Sequence, residues 1–189
     1  MLCGKIKFKN LGDILKNHIA LFEPVMPANT GNIARTCAGT NTSLHLIEPL
    51  GFDTSDKMLK RAGLDYWHHV DITYHANLEA FIEYVGERSL YLITKFAPRV
   101  YSDADLAENQ SGEQFFLFGK ETTGLPVELM ETYKANSLRI PMDDQHVRSL
   151  NLSNTANIVI FEALRQQQFS GLETSHHYDD TDKALELNW

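Results

Sequence analysis

The sequence is poor in several features that would fix a function quickly. It holds only two cysteines, Cys3 and Cys37, in 189 residues. That is too few for a disulfide framework, and no metal-ligand spacing surrounds either. The longest apolar runs, such as residues 90–93 and 115–118, are strand-sized and too short to cross a bilayer. Lys5, Lys7 and Lys9 are not followed by an apolar stretch with a cleavage site, so no signal peptide is read. These absences point to the reducing cytoplasm and away from a membrane. Also missing are the Gly-x-Gly-x-x-Gly dinucleotide fingerprint, the Gly-x-x-x-x-Gly-Lys-Ser/Thr phosphate loop and the Gly-x-Ser-x-Gly nucleophile turn. The neighbouring pairs His68–His69 and His176–His177 have no carboxylate or cysteine placed to complete a metal site, and no metal is expected.

Positive charge is scarce as well. Lys and Arg number 17 against 25 Asp and Glu, a net charge of −8, which argues mildly against a polyanionic partner. The imbalance is concentrated near the end of the chain, where Glu173, Asp179, Asp180, Asp182 and Glu186 meet a single Lys183. The remainder keeps Lys57, Lys60, Arg61, Lys95, Arg99, Lys120 and Arg148 near predicted loops or strand ends. Net charge therefore leaves a nucleic-acid partner open.

What is present is an alternation of strands and helices in a length suited to one domain. Residues 19–23, 44–48, 70–74, 90–94, 115–118 and 138–140 read as strands, several of them apolar throughout. Helices are predicted over 31–38, with Thr30 as cap and Gly39 as stop, and over 53–62, 78–85, 126–133 and 153–168. Ser153 is the predicted N-cap of the last helix. Residues 1–18 read as an N-terminal extension with a short helix around 11–17, residues 19–168 as the domain, and residues 169–189 as an acidic, flexible tail. Strands apolar on both faces imply an α/β fold, a mostly parallel sheet with helices on both faces.

Ligands of such sheets sit beyond the carboxyl ends of the strands. Three segments fall there: residues 29–36, 118–126 and 148–154. They offer glycine at Gly119 and Gly124, where backbone can approach a ligand closely, together with amides, hydroxyls and a few cations. That suits an uncharged or zwitterionic small molecule. Arg35 follows a buried strand on a helix whose other side carries Ile33, Ala34 and Cys37, so it is expected to face the crevice. Glu121 reads as a first-turn carboxylate or as a loop residue bonding backbone N–H groups, with structural support the favoured assignment. The last helix has a core stripe of Ala156, Val159, Ile160, Ala163 and Leu164. Ile158 and Phe161 fall off that stripe and are expected at a homodimer contact.

The motifs themselves are more specific. Asn29-Thr30-Gly31-Asn32-Ile33-Ala34-Arg35, Phe118-Gly119-Lys120-Glu121-Thr122-Thr123-Gly124-Leu125-Pro126, and Ile140-Pro141-Met142 with Arg148-Ser149-Leu150-Asn151-Leu152-Ser153-Asn154 resemble the three ordered motifs of the SpoU branch of SPOUT RNA 2′-O-methyltransferases. Residues 47–52 and 61–66 sharpen the resemblance to the compact TrmL-type tRNA (cytidine/uridine-2′-O-)-methyltransferases, which act at the wobble nucleotide. The resemblance spans residues 19–168.

It implies a C-terminal trefoil knot, an obligate dimer and S-adenosylmethionine as cofactor. None of the patterns above predicts a knot. Carried over by motif, Leu92, Thr94, Gly119, Glu121, Ile140, Met142, Ser149 and Leu150 would contact the cofactor. Arg35 would be catalytic, with Asn29, Asn32 and Asn151 ordering the site and tRNA as the partner. A guanidinium is a permanent cation, so a general-base role for Arg35 conflicts with its chemistry. Holding a phosphate and stabilising alkoxide charge fits better. One position departs from the pattern: Phe161 stands where relatives often carry Tyr. Methylation of another tRNA site or of ribosomal RNA, and a non-catalytic RNA-binding dimer, are the alternatives.

Overall fold

The computed structural model of the protein describes residues 15–53 and 65–175. Seven strands, β1 Lys16–Phe22, β2 Ser43–Ile47, β3 Ile72–His75, β4 Ser89–Ile93, β5 Arg99–Val100, β6 Glu113–Phe118 and β7 Ser137–Arg139, form one sheet in the order β3-β2-β1-β6-β4-β7-β5. Every pairing is parallel. Among the described residues four α-helices accompany it: α1 Pro27–Thr40, α2 Leu78–Val85, α3 Val127–Thr132 and α4 Leu152–Gln166.

Alternation along the central strands builds a core on each face. Ile19 and Leu21 of β1 and Phe116 and Phe118 of β6 meet Ile33, Ala34 and Cys37 of α1 and Ala156, Val159, Ile160, Ala163 and Leu164 of α4. Ala20, Phe115 and Leu117 point the other way, toward Phe81 and Val85 of α2 and Leu125. The mostly parallel sheet with both faces covered is thus the architecture expected from its apolar strands. The stripe assigned to α4 is buried as expected.

Several local expectations need correction. Helix α1 begins at Pro27 rather than at residue 31. Proline at the first turn presets the helical φ, and Asn29, Thr30 and Gly31 are buried within the helix instead of forming its loop. Thr30 does not cap; its hydroxyl donates back to the Met26 carbonyl at 3.4 Å. The helix runs through Gly39 to Thr40 and ends at Asn41, which takes the left-handed conformation (φ 52°). Lys16 and Asn17, expected in a short helix, are strand, so the sheet begins before residue 19. Asn17 hides this from a hydrophobicity reading. It is buried, accepts from Gln114 Nε2 at 2.8 Å and exchanges hydrogen bonds with Gln167 at 2.9 and 3.0 Å. Phe169 and Leu172 pack on the core, so the packed chain extends past residue 168. The helix expected over 53–62 lies, from residue 54 on, outside the described residues, and Asp53 is not helical.

One feature of the sheet was not foreseen. His18, His45 and His75, on β1, β2 and β3, are all buried, at 3%, 1% and 6% exposure. Their rings form a hydrogen-bonded column, His18 Nδ1 to His45 Nε2 at 2.9 Å and His45 Nδ1 to His75 Nε2 at 2.9 Å. Phe115 stacks on His18 with ring centroids 4.2 Å apart. His18 Nε2 has no hydrogen-bond partner among the described residues and lies 3.7 Å from a Glu113 carboxylate oxygen.

Candidate active site

The three motif segments converge at the carboxyl edge of the sheet, and one chain of side-chain hydrogen bonds joins them. Glu121, in the loop after β6, accepts the Val25 N–H at 3.0 Å and the Met26 N–H at 3.3 Å. Met26 has no side-chain cap of its own, so a carboxylate distant in sequence supplies the acceptor that the start of α1 lacks. The same carboxylate accepts from the Asn29 amide nitrogen at 3.1 Å. Asn29 Oδ1 accepts in turn from Asn151 Nδ2 at 3.0 Å.

Asn151 Oδ1 then caps α4, accepting the Ser153 N–H at 2.9 Å, the Asn154 N–H at 3.3 Å and the Ser153 hydroxyl at 2.7 Å. The N-cap of α4 is therefore Asn151 and not Ser153. Ser153 is buried inside the first turn with its hydroxyl committed to that cap. The two helices are also tied further along, where the Thr36 hydroxyl donates to Asn157 Oδ1 at 2.7 Å.

Glycine shapes the middle loop. Lys120 and Gly124 exchange both backbone hydrogen bonds, at 3.2 and 2.8 Å. A Cβ on Gly119 would lie 2.5 Å from the Gly124 carbonyl carbon, so no larger residue fits there. Gly124 holds φ +76°, the left-handed region that glycine adopts without strain. Lys120 is anchored to Glu23 at 2.9 Å, which joins this loop to the end of β1. On the other side, the Thr94 N–H donates to the Leu138 carbonyl at 3.0 Å, and Lys95 Nζ donates to the Arg148 carbonyl at 3.2 Å.

The residues predicted to contact a cofactor are distributed accordingly. Leu92 and Ile140 are buried; Thr94, Gly119, Glu121, Met142 and Leu150 are half-buried; Ser149 is exposed. Leu150 packs against the same core cluster as Ile140. Both carboxylate oxygens of Glu121 are occupied by the protein's own N–H groups, which accords with structural support. Asn29, Glu121 and Asn151 form the hydrogen-bonded chain, whereas Asn32 and Arg35 lie exposed further along α1. Asn151 and Ser153 are both cap-forming residue types, so local pattern does not choose between them, and the N–H groups that Glu121 serves at the start of α1 are distant from it in sequence.

Cys37 is buried, and burial pushes its thiol up to about 12, so it offers no thiolate nucleophile. A cavity of about 470 Å³ opens beside Glu48, Pro49, Leu50 and Phe52 at the carboxyl ends of β2 and β3. A larger one, about 740 Å³, lies beside Tyr84, Arg88, Ser89 and Ser111 at the opposite edge of the sheet, away from the motif loops. The motif edge thus combines apolar walls, closely approaching backbone and neutral amides, with Lys95 as a nearby cation. Such a donor set suits a flat heteroaromatic ring carrying polar groups better than a polyphosphate.

A parallel α/β sheet with its motif loops pinned at the carboxyl edge defines the class, an open α/β binding fold. The sequence settles the family: residues 16–161 match the model of the SpoU rRNA Methylase family, and the chain belongs to that family. A relative from Lactococcus lactis subsp. cremoris, provisionally named a tRNA (cytidine(34)-2′-O)-methyltransferase, is 58% identical over 86% of this chain and 96% of its own. The crystal structure of a provisionally named RNA methyltransferase from Bacillus anthracis superposes with TM-score 0.80 at 52% identity, over 85% of this chain and 99% of that one. A structure described as giving insights into 2-OH methylation of C/U34 on tRNA matches with TM-score 0.71 at 39% identity, over 82% and 97% of the two chains.

Proposed function

We propose that this protein transfers a methyl group from S-adenosylmethionine to the ribose 2′-oxygen of nucleotide 34, the wobble cytidine or uridine, of a tRNA. S-adenosylmethionine is the methyl donor of the SpoU family, and relatives named for this reaction match 82–86% of this chain over nearly their whole length. The observation that carries the proposal is the Glu121–Asn29–Asn151 chain. It makes one unit of the three motif loops and fixes the helix bearing Arg35 against the loops predicted to hold the cofactor.

In this reading Ile140 and Leu150 give apolar walls for the adenine, while Leu92, whose side chain is buried on the other face of the sheet, Thr94, Gly119, Met142 and Ser149 offer backbone and hydroxyl groups. Glu121 acts by holding this geometry. The cofactor, when bound, supplies an electrophilic methyl group on a sulfonium. Arg35 holds the phosphate beside the target ribose and stabilises the negative charge that develops on the 2′-oxygen. Asn32 and Asn29 order the approach from the same helix.

The proposal includes a trefoil knot, supported by the insertion of β7 between β4 and β5 in the sheet order. It also includes a homodimer through α4, supported by Phe161, which is 48% exposed on that helix. No helix of the described residues is long and apolar enough to cross a membrane, and a cytoplasmic location fits the role. The test is methyl transfer from labelled cofactor to tRNA, with the site mapped, for wild type, Arg35→Ala and Arg35→Lys. Label at nucleotide 34, lost in the alanine variant and strongly reduced in the lysine variant, is expected. Label in ribosomal RNA instead would overturn the substrate assignment. Near-normal turnover by Arg35→Lys would overturn the role given to a planar, bidentate guanidinium.

A further inference from the structure

Among the described residues, the most exposed large apolar side chain is Phe96, at 72%. It does not hang from a loose loop. The Ala97 N–H donates to the Thr94 carbonyl at 3.3 Å, the Phe96 N–H faces the Thr94 hydroxyl oxygen at 3.4 Å, and Ala97 is buried at 4%. Thr94 itself is fixed to Leu138 of β7. The turn after β4 is therefore held on both sides, and the ring is presented to solvent from a fixed backbone.

Its surroundings are cationic. Lys95 Nζ lies 5.2 Å from the Phe96 ring centroid and donates to the backbone of Arg148, in the loop leading to α4. The ring thus stands at the rim of the candidate active site. A surface meant to bury against protein is depleted in lysine at its centre, whereas here an ammonium covers part of the ring. A fixed aromatic face beside a cation is the minimal contact for single-stranded nucleic acid, the base stacking on the ring and its phosphate meeting the charge.

We propose that Phe96 is a stacking platform for an unpaired nucleobase of the RNA substrate flanking the methylated nucleotide, with Lys95 meeting the adjoining phosphate. This rests on the RNA-methylation reading above. Stacking on a ring tolerates any base, so the platform would set affinity and register in the anticodon loop rather than base identity.

The experiment compares Phe96→Ala, Phe96→Leu and Phe96→Trp by three readouts: kinetics with tRNA, binding of a fluorescent anticodon stem-loop, and sedimentation. Stem-loop binding and KM for tRNA are expected to worsen roughly 5- to 150-fold in Phe96→Ala. The loss should lie in KM more than in kcat. Phe96→Trp should recover the affinity and Phe96→Leu should not. Unchanged stem-loop binding by Phe96→Ala would overturn the proposal. Rescue by leucine equal to that by tryptophan would show an apolar contact instead of stacking, and a changed sedimentation coefficient would assign the ring to a second copy of the chain. If wild type methylates no tRNA, the functional reading fails by itself, and stem-loop binding still decides the role of Phe96.

Discussion

Acidification should destabilise this protein well before its carboxylates protonate, because of the imidazole column across β1, β2 and β3. Burial pushes His18 down to about 4 and His45 down to about 3 from an ordinary value of 6.5, and lowers His75 as well. The charged groups around the column are Glu113 on β6, Arg88 before β4, Lys16 on β1 and Asp71 before β3, with Tyr84 of α2 against its rings. All three imidazoles are neutral in the folded protein at pH 7. The unfolded chain binds protons as pH falls through 6.5, while the folded chain resists until about pH 4. Stability is therefore full above the unfolded value and falls between roughly pH 6.5 and 4.

At about pH 4.5 each histidine that stays neutral costs roughly 2–3 kcal/mol, from about 1.4 kcal/mol per pH unit. Two such groups give on the order of 5 kcal/mol, comparable with the whole stability of many domains. The column also limits its own relief. One added proton on His45 lets it donate to both neighbours, but a second would set two N–H groups against each other. Urea unfolding at several pH values between about 7.5 and 4.5 measures the slope, and imidazole NMR titration locates it. A flat urea midpoint over that window, or a His45 signal titrating near 6.5, would refute the reasoning. Asp71, Glu113 and Glu162 are held below the usual carboxylate range by hydrogen bonds from Ser43, Arg88 and Arg165, respectively. Their loss belongs to lower pH and can be told apart.

Two further outcomes follow from the site and from α4. Glu121→Gln keeps the shape but turns one acceptor into a donor, set against either the Val25 N–H or the Met26 and Asn29 N–H groups. It should cost about 1–3 kcal/mol in thermal unfolding and weaken cofactor binding measured by calorimetry. Phe161→Glu places a charge on the exposed face of α4 and should convert the proposed dimer to a monomer in sedimentation, leaving helical circular dichroism intact; an unchanged dimer would assign the interface elsewhere, and a monomeric wild type would overturn the dimer itself.

The sheet was legible where burial and apolarity coincide. Residues 19–22, 44–47, 90–93 and 115–118 are strand because both faces are covered. Reading failed where polar residues carry structure. Asn17 and His18 lengthen β1 by pairing with polar partners, and Asn29-Thr30-Gly31 looks like a loop but is helix. Strand β5, two residues at a sheet edge, has no pattern to read. At the site, Glu121 was readable as support for backbone N–H groups, and the motif loops were readable by family resemblance. The choice of Asn151 over Ser153 as cap was not, since it depends on Asn29 holding the amide from across the site.

The parallel sheet also has a consequence during synthesis. Strand β1 lies inside the sheet, and its second long neighbour, β6, arrives much later: Asn17 and its partner Gln114 are 97 positions apart. A ribosome adding about 5–20 residues per second takes roughly 5–20 s to cover that distance. Strand β2 can cover one edge of β1 early, but the other edge, beside Ile19 and Leu21, has to wait. The nascent chain thus carries an open apolar strand for seconds outside the exit tunnel. That is the interval in which a chaperone has most to protect.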